Sequence, residues 1–140
     1  MPFGIINYKK FNPFVKPTEE ENALKEAYIV DLYNLKNPNN KIMLDNKENK
    51  YLHYDAIDKY ETKYEIKSVN HIYNQFKGEY FPILKVFQHE YKNGLVALYH
   101  YLNDDIYYFN LDGDMVENEW LKTSKIKGML YIPIELFKKV

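Results

Sequence analysis

The sequence predicts a mixed α/β domain in which one helix leads into a strand-rich remainder. A complete helix-start signature sits at residue 18, two pairs of alternating apolar–polar runs follow, and each pair is divided by a short polar turn. A second stretch of helical spacing falls between the two pairs, which gives the order helix, strands, helix, strands. With 140 residues, 46% of them hydrophobic, the chain suits one domain (1–140) with a core of its own.

Residues 1–17 carry Pro2, Pro13 and Pro17 among Phe3, Phe11 and Phe14, and read as an extended arm. Thr18 is a good N-cap. Glu19, Glu20 and Glu21 fill a first turn that favours acids, and Glu21 stands three residues from the cap. Ala23, Ala27, Val30 and Tyr33 continue at helical spacing, so Glu19 to Leu35 is the first helix, and Asn37-Pro38-Asn39-Asn40 stops it. Lys41 to Leu44 is a short strand and Asp45 to Lys50 a polar turn. Tyr51 to Asp58 and Thr62 to Val69 form a hairpin across Lys59-Tyr60-Glu61, and Asn70 to Phe76 has no clear period. Phe81 to Lys92, with Leu84, Phe87 and Tyr91 in step, reads as a second helix ending at Asn93-Gly94. Leu95 to Leu102 and Ile106 to Leu111 form a second hairpin about Asn103-Asp104-Asp105. Asp112-Gly113-Asp114 is a turn, and Trp120 and Met129 to Phe137 close the chain.

Composition excludes several classes. No apolar run approaches the length of a membrane span. The first ten residues lack the pattern of a secretion signal, so an intracellular, cytoplasmic location is expected. With no cysteine there is no disulfide framework, thiolate zinc site or cysteine nucleophile. Nineteen cations face 20 anions, so binding of nucleic acid by overall charge is not expected, and any such contact rests on a local site. All 19 cations are Lys, and with 15 Asn and 15 Tyr this is the usage of an AT-rich coding sequence, which devalues each Asn and Tyr as a functional sign.

One segment carries chemistry, from Tyr51 to Asn70. In a strand, side chains two apart share a face, so Glu65 and Lys67 point one way and Tyr64 and Ile66 the other. If the hairpin turns on Lys59-Tyr60-Glu61, Asp55 sits opposite Glu65. A connection of even length would bring Asp58 there instead. Asp55 lies deeper in its strand and is preferred, with Asp58 expected as a solvated end. Two nearby carboxylates repel, and a hard divalent cation relieves that repulsion while gathering oxygen ligands.

Asp55, with Glu65-Ile66-Lys67 on the next strand, resembles the active-site hairpin of the PD-(D/E)xK nuclease superfamily, the restriction-endonuclease-like fold. The resemblance covers residues 19–102 and leaves 103–140 as a strand-rich C-terminal extension. It implies a Mg²⁺-dependent DNA endonuclease of restriction or resolvase type, with Mn²⁺ able to substitute. Asp55 and Glu65 would hold the metal, the Ile66 carbonyl would add a ligand, and Lys67 would position the attacking water. Many members also carry a helix glutamate, for which Glu26 is the candidate and Glu21, a capping acid, the runner-up. DNA is the implied partner, a homodimer is consistent with the family, and viral or phage origin fits the composition.

The triplet alone is weak: 12 Glu and 19 Lys predict roughly 1.6 Glu-x-Lys triplets by composition, and four occur. The strand setting of Glu65-Ile66-Lys67 separates it from Glu48-Asn49-Lys50, Glu61-Thr62-Lys63 and Glu90-Tyr91-Lys92. The plain alternative is a hairpin with an ion pair on its solvent face. Gln88, Lys85 and Lys92 read as helix surface, His53 as a half-buried strand residue, and Tyr99, Tyr101, Tyr107 and Tyr108 as sheet packing. Two other functions stay open, a catalytically silent nucleic-acid-binding module and a structural or interaction protein of a virus or mobile element.

Overall fold

The computed structural model describes residues 18–45, 54–82, 95–111 and 129–140. Helix α1 spans Glu19–Lys36, close to the expected bounds. Its start is a reciprocal cap. Thr18 Oγ1 accepts from the Glu21 N–H at 3.1 Å, and Glu21 Oε2 accepts from the Thr18 N–H at 3.3 Å. Its end is closed by the Asn37 N–H, which donates to the Tyr33 carbonyl.

Among the described residues eight strands follow: β1 Ile42–Leu44, β2 Ala56–Asp58, β3 Lys63–Ser68, β4 Gly78–Pro82, β5 Leu95–His100, β6 Ile106–Leu111, β7 Met129–Pro133 and β8 Lys138–Lys139. Six of them form one mixed sheet in the order β1-β2-β3-β5-β6-β8. Its neighbours are antiparallel except β3 and β5, which run parallel. Strands β4 and β7 pair antiparallel as a second, two-stranded sheet. The segment 103–140 thus contributes strands to both sheets.

Each face of the large sheet has its own core. Tyr64, Ile66, Val96, Leu98 and Ile106 meet Ile29, Val30, Leu32 and Tyr33 of α1. On the other face, Leu95, Ala97, Tyr99, Phe109 and Leu111 meet Phe81, Leu130, Ile132, Ile134 and Phe137. The sheet therefore lies between a helix layer and the β4–β7 layer, and β5, buried along its whole length, is the centre of both cores. The tyrosines at 99 and 101 are buried in this packing, as expected of sheet residues.

Side chains tie the helix to the sheet at two points, near its middle and near its C-terminal end. Asn34 donates through Nδ2 to the Ile42 carbonyl at 2.9 Å and accepts the Ile42 N–H on Oδ1 at 2.8 Å. The Tyr28 hydroxyl donates to Asp104 Oδ2 at 2.9 Å, and His100 Nε2 lies 2.8 Å from Asp104 Oδ1 in the β5–β6 turn. Burial pushes the His100 imidazole below its ordinary pKa, against the opposing pull of Asp104.

One expected element differs. Phe81 and Pro82 belong to β4 and do not open a helix, and 83–92 lie outside the described residues. Phe81 is fully buried between the layers and pairs with Leu130, nearly fifty residues away, a partner that no local period reveals. The arm 1–17, most of the Asp45 to Lys50 turn, the start of the Tyr51 strand, the Asp112-Gly113-Asp114 turn and Trp120 also lie outside the described residues.

Two substitutions test this packing. A Cβ at Gly78 would press on the Tyr131 ring and stand 2.7 Å from the Ile132 carbonyl. Gly78→Ala is expected to destabilise the domain by about 1–3 kcal/mol in urea unfolding. Glu61 holds a left-handed φ of 66° in the β2–β3 turn. There Glu61→Gly is expected to leave stability unchanged or raise it by up to about 1 kcal/mol, while glycine elsewhere in a strand lowers it.

Candidate metal-binding hairpin

The β2–β3 turn is held by a single carboxylate. Asp58 Oδ1 accepts the backbone N–H of Tyr60 at 2.8 Å and of Thr62 at 3.0 Å. Its Oδ2 accepts the Tyr64 hydroxyl at 2.9 Å and the Asn40 amide at 3.1 Å. Burial alone would raise this carboxyl, but the bonds from Asn40, Tyr64, Tyr60 and Thr62 together outweigh it and hold Asp58 below its ordinary pKa. The expectation of a solvated end is therefore corrected: Asp58 is buried because the turn, which lacks a glycine, is built around it.

The resulting register pairs Ala56 with Tyr64 and Ile57 with Lys63, as a turn on Lys59-Tyr60-Glu61 requires. At the next step Asp55 and Ala56 both face Tyr64, and the Asp55 N–H donates to the Tyr64 carbonyl at 2.8 Å, so Asp55 lies just before β2 and opposite Tyr64, not deep in the strand opposite Glu65 as expected. Two residues opposite one make a β-bulge, which re-aims the side chain it carries. The Asp55 carboxylate turns onto β3, where Oδ2 accepts the Ile66 N–H at 2.8 Å. It thus stands in for a strand carbonyl at the peptide that joins Glu65 to Ile66.

Strand β3 divides its side chains as the period of two demands. Tyr64 and Ile66 pack under α1, while Glu65 and Lys67 project toward the β4–β7 layer. Glu65 is only 4% exposed. Lys67 Nζ lies 3.8 Å from Glu65 Oε1 and 5.8 Å from the centroid of the Phe81 ring, with its side chain 31% exposed. Next to Asp55, the Tyr54 phenol is pushed up to about 12, first by its hydrogen bond to Asp45 and then by burial.

These donors suit a hard cation. A strand residue points its N–H and C=O to the same side, so the Ile66 carbonyl faces the side on which Asp55 meets the Ile66 N–H. The candidate donors, Asp55, the Ile66 carbonyl and Glu65, are all oxygens, without sulfur or imidazole. Among the described residues no three His, Asp or Glu side chains group closely enough to cage a metal alone. A cation here would take its other ligands from water and substrate, as Mg²⁺ does.

Glu26 is half-buried. It lies on α1, whose buried residues Ile29, Val30, Leu32 and Tyr33 cover the opposite face of the sheet. Gln88, Lys85, Lys92 and His53 lie outside the described residues. Sequence reasoning passed over Glu79, which is 5% exposed on β4 with Oε1 2.7 Å from His71 Nε2. Burial first, and then the Glu79 charge, push the Tyr99 and Tyr101 phenols upward. The inward alternation of Glu79 and Phe81 about exposed Tyr80 was the available signal.

Asp58→Ala is expected to cost about 2–3 kcal/mol in urea unfolding, because it strands two backbone donors and two side-chain donors. The folded pKa of Asp58 is depressed, so its contribution is complete above its ordinary value of 3.8 and is lost as pH falls below it. Wild-type stability should therefore drop through that acid range by more than that of Asp58→Ala. Compared with known proteins, the chain matches no family model, no curated protein and no solved structure.

Proposed function

We propose that the chain is a Mg²⁺-dependent DNA endonuclease of the PD-(D/E)xK kind. The observation that carries this reading is the Asp55 carboxylate seated on the Ile66 N–H, which puts the first acid beside the Glu65-Ile66-Lys67 triplet. The order of elements supports it. Helix α1, the antiparallel run β1-β2-β3 and a later strand, β5, parallel to β3 follow the family's sequence of helix, three strands and crossover strand.

In this reading Asp55, Glu65 and the Ile66 carbonyl hold the cation. When bound, it polarises a phosphate oxygen and lowers the pKa of a coordinated water. Lys67, fixed near Glu65 and partly exposed, offers ammonium donors that orient the attacking water and stabilise charge at the phosphorus. The substrate is DNA, and a homodimer in an intracellular setting accords with the reading.

A supercoiled-plasmid assay tests it. Nicking should require Mg²⁺ or Mn²⁺ and stop with EDTA. Asp55→Ala and Lys67→Ala should each slow it by at least about 100-fold while circular dichroism shows the fold retained. Activity that survives Lys67→Ala overturns the reading.

The burial of Glu65 beneath the β4–β7 layer favours a second reading, a non-catalytic binding or interaction module in which Glu65 and Lys67 are a structural pair. No cleavage with either metal, no heat of metal binding, and a Lys67→Met variant less stable than the parent, because buried Glu65 loses the ammonium beside it, would establish that alternative.

A further inference from the structure

The small β4–β7 sheet turns Tyr80 and Tyr131 away from Glu79, Phe81, Leu130 and Ile132, and neither core takes them up. They stand opposite each other in the ladder, with ring centroids 5.2 Å apart. Beside them, Phe76, Tyr131 and Pro133 line an open groove of about 430 Å³. Phe76 is 54% exposed, and its ring stands edge-on to His71 with centroids 4.8 Å apart. Exposed rings gathered on one side of a domain mark a place where another surface docks.

The two segments that build the groove are fastened to each other. The Ile134 N–H donates to the Lys77 carbonyl at 2.8 Å, and the Ile134 carbonyl accepts the Tyr73 hydroxyl at 3.2 Å. Tyr73 in turn stacks on Tyr107 of β6, with centroids 3.6 Å apart. A surface held in shape this way has little freedom to lose when it is covered. Its charges select what covers it. Lys77 and Glu135 both border the groove, and neither enters an ion pair among the described residues. Asn74 and Gln75 add amides, which donate and accept alike. An acidic partner would be repelled by Glu135, and a basic one by Lys77. A second copy related by a two-fold axis answers both, because one Lys77–Glu135 contact between copies creates its mirror.

We propose that this groove is where two copies of the chain associate, Phe76 packing at the centre and Lys77 of each copy pairing with Glu135 of the other. The readout is association and not cleavage, so the proposal stands or falls apart from the nuclease reading. Sedimentation equilibrium of the full chain, up to about 200 μM, tests it. A dimer with a dissociation constant of about 20 μM or tighter is expected. Phe76→Ser should weaken it at least about tenfold. Lys77→Glu and Glu135→Lys should each weaken it at least about fivefold, since like charges then meet twice in every dimer. All three positions are exposed and belong to neither core, so circular dichroism should be unchanged. An equimolar mixture of the two charge variants should regain the parental affinity, because opposite charges meet again only between unlike copies. The proposal is overturned if the parent stays monomeric at about 200 μM. It is overturned equally if the dimer withstands Phe76→Ser or both charge reversals, or if the mixture stays as weak as its components.

Discussion

The hydrogen bonds that converge on Asp58 set the register of the whole β2–β3 hairpin. Without a glycine in the turn, nothing in the local backbone preference selects a three-residue connection, and Glu61 must accept a left-handed conformation. The carboxylate supplies what the turn lacks, by gathering the Tyr60 and Thr62 amides from one strand end and Asn40 from the loop after the helix. A slip of one residue would lose these bonds and exchange the faces of β3, bringing Glu65 under the helix and Tyr64 under β4. The placement of Asp55 beside the Glu65–Ile66 peptide is downstream of that single anchor.

The centre of the molecule follows from β5. Its residues are buried on both faces, so the sequence Leu95-Val-Ala-Leu-Tyr-His100 must satisfy two different cores at once. Small Ala97 beside Glu65 and large Tyr99 beside Lys67 shape the interlayer space on one side. The Tyr99 hydroxyl donates to the Tyr80 carbonyl at 2.7 Å and so ties the large sheet to the smaller one. His100 does the corresponding work on the helix side through Asp104 and Tyr28.

The legible parts of the sequence are those whose causes are local. The cap at Thr18, the helix to Lys36, the second hairpin and the parity of Glu65 and Lys67 all depend on residues within a few positions of one another. The pairing of β4 with β7 depends on residues fifty apart, so the helical spacing of Leu84 and Phe87 misled as to Phe81 and Pro82. Asp58 was misjudged because its donors come partly from Asn40 and Tyr64, which only the folded chain brings to it. Compositional bias also hid information. Asn34, Asn37 and Asn40, discounted as products of codon usage, each hold a specific hydrogen bond.

Asn34 shows what such a residue can decide. Its amide offers one donor and one acceptor to Ile42, the pair of bonds that another strand would make with the outer side of β1. The terminal strand of the large sheet is thereby occupied by the protein's own helix, while β8 at the far end is only two residues long. Among the described residues, then, the strand at each border of the large sheet is either occupied along its outer side or very short, which leaves strand addition, the usual route to fibrillar aggregates, little purchase at those two borders.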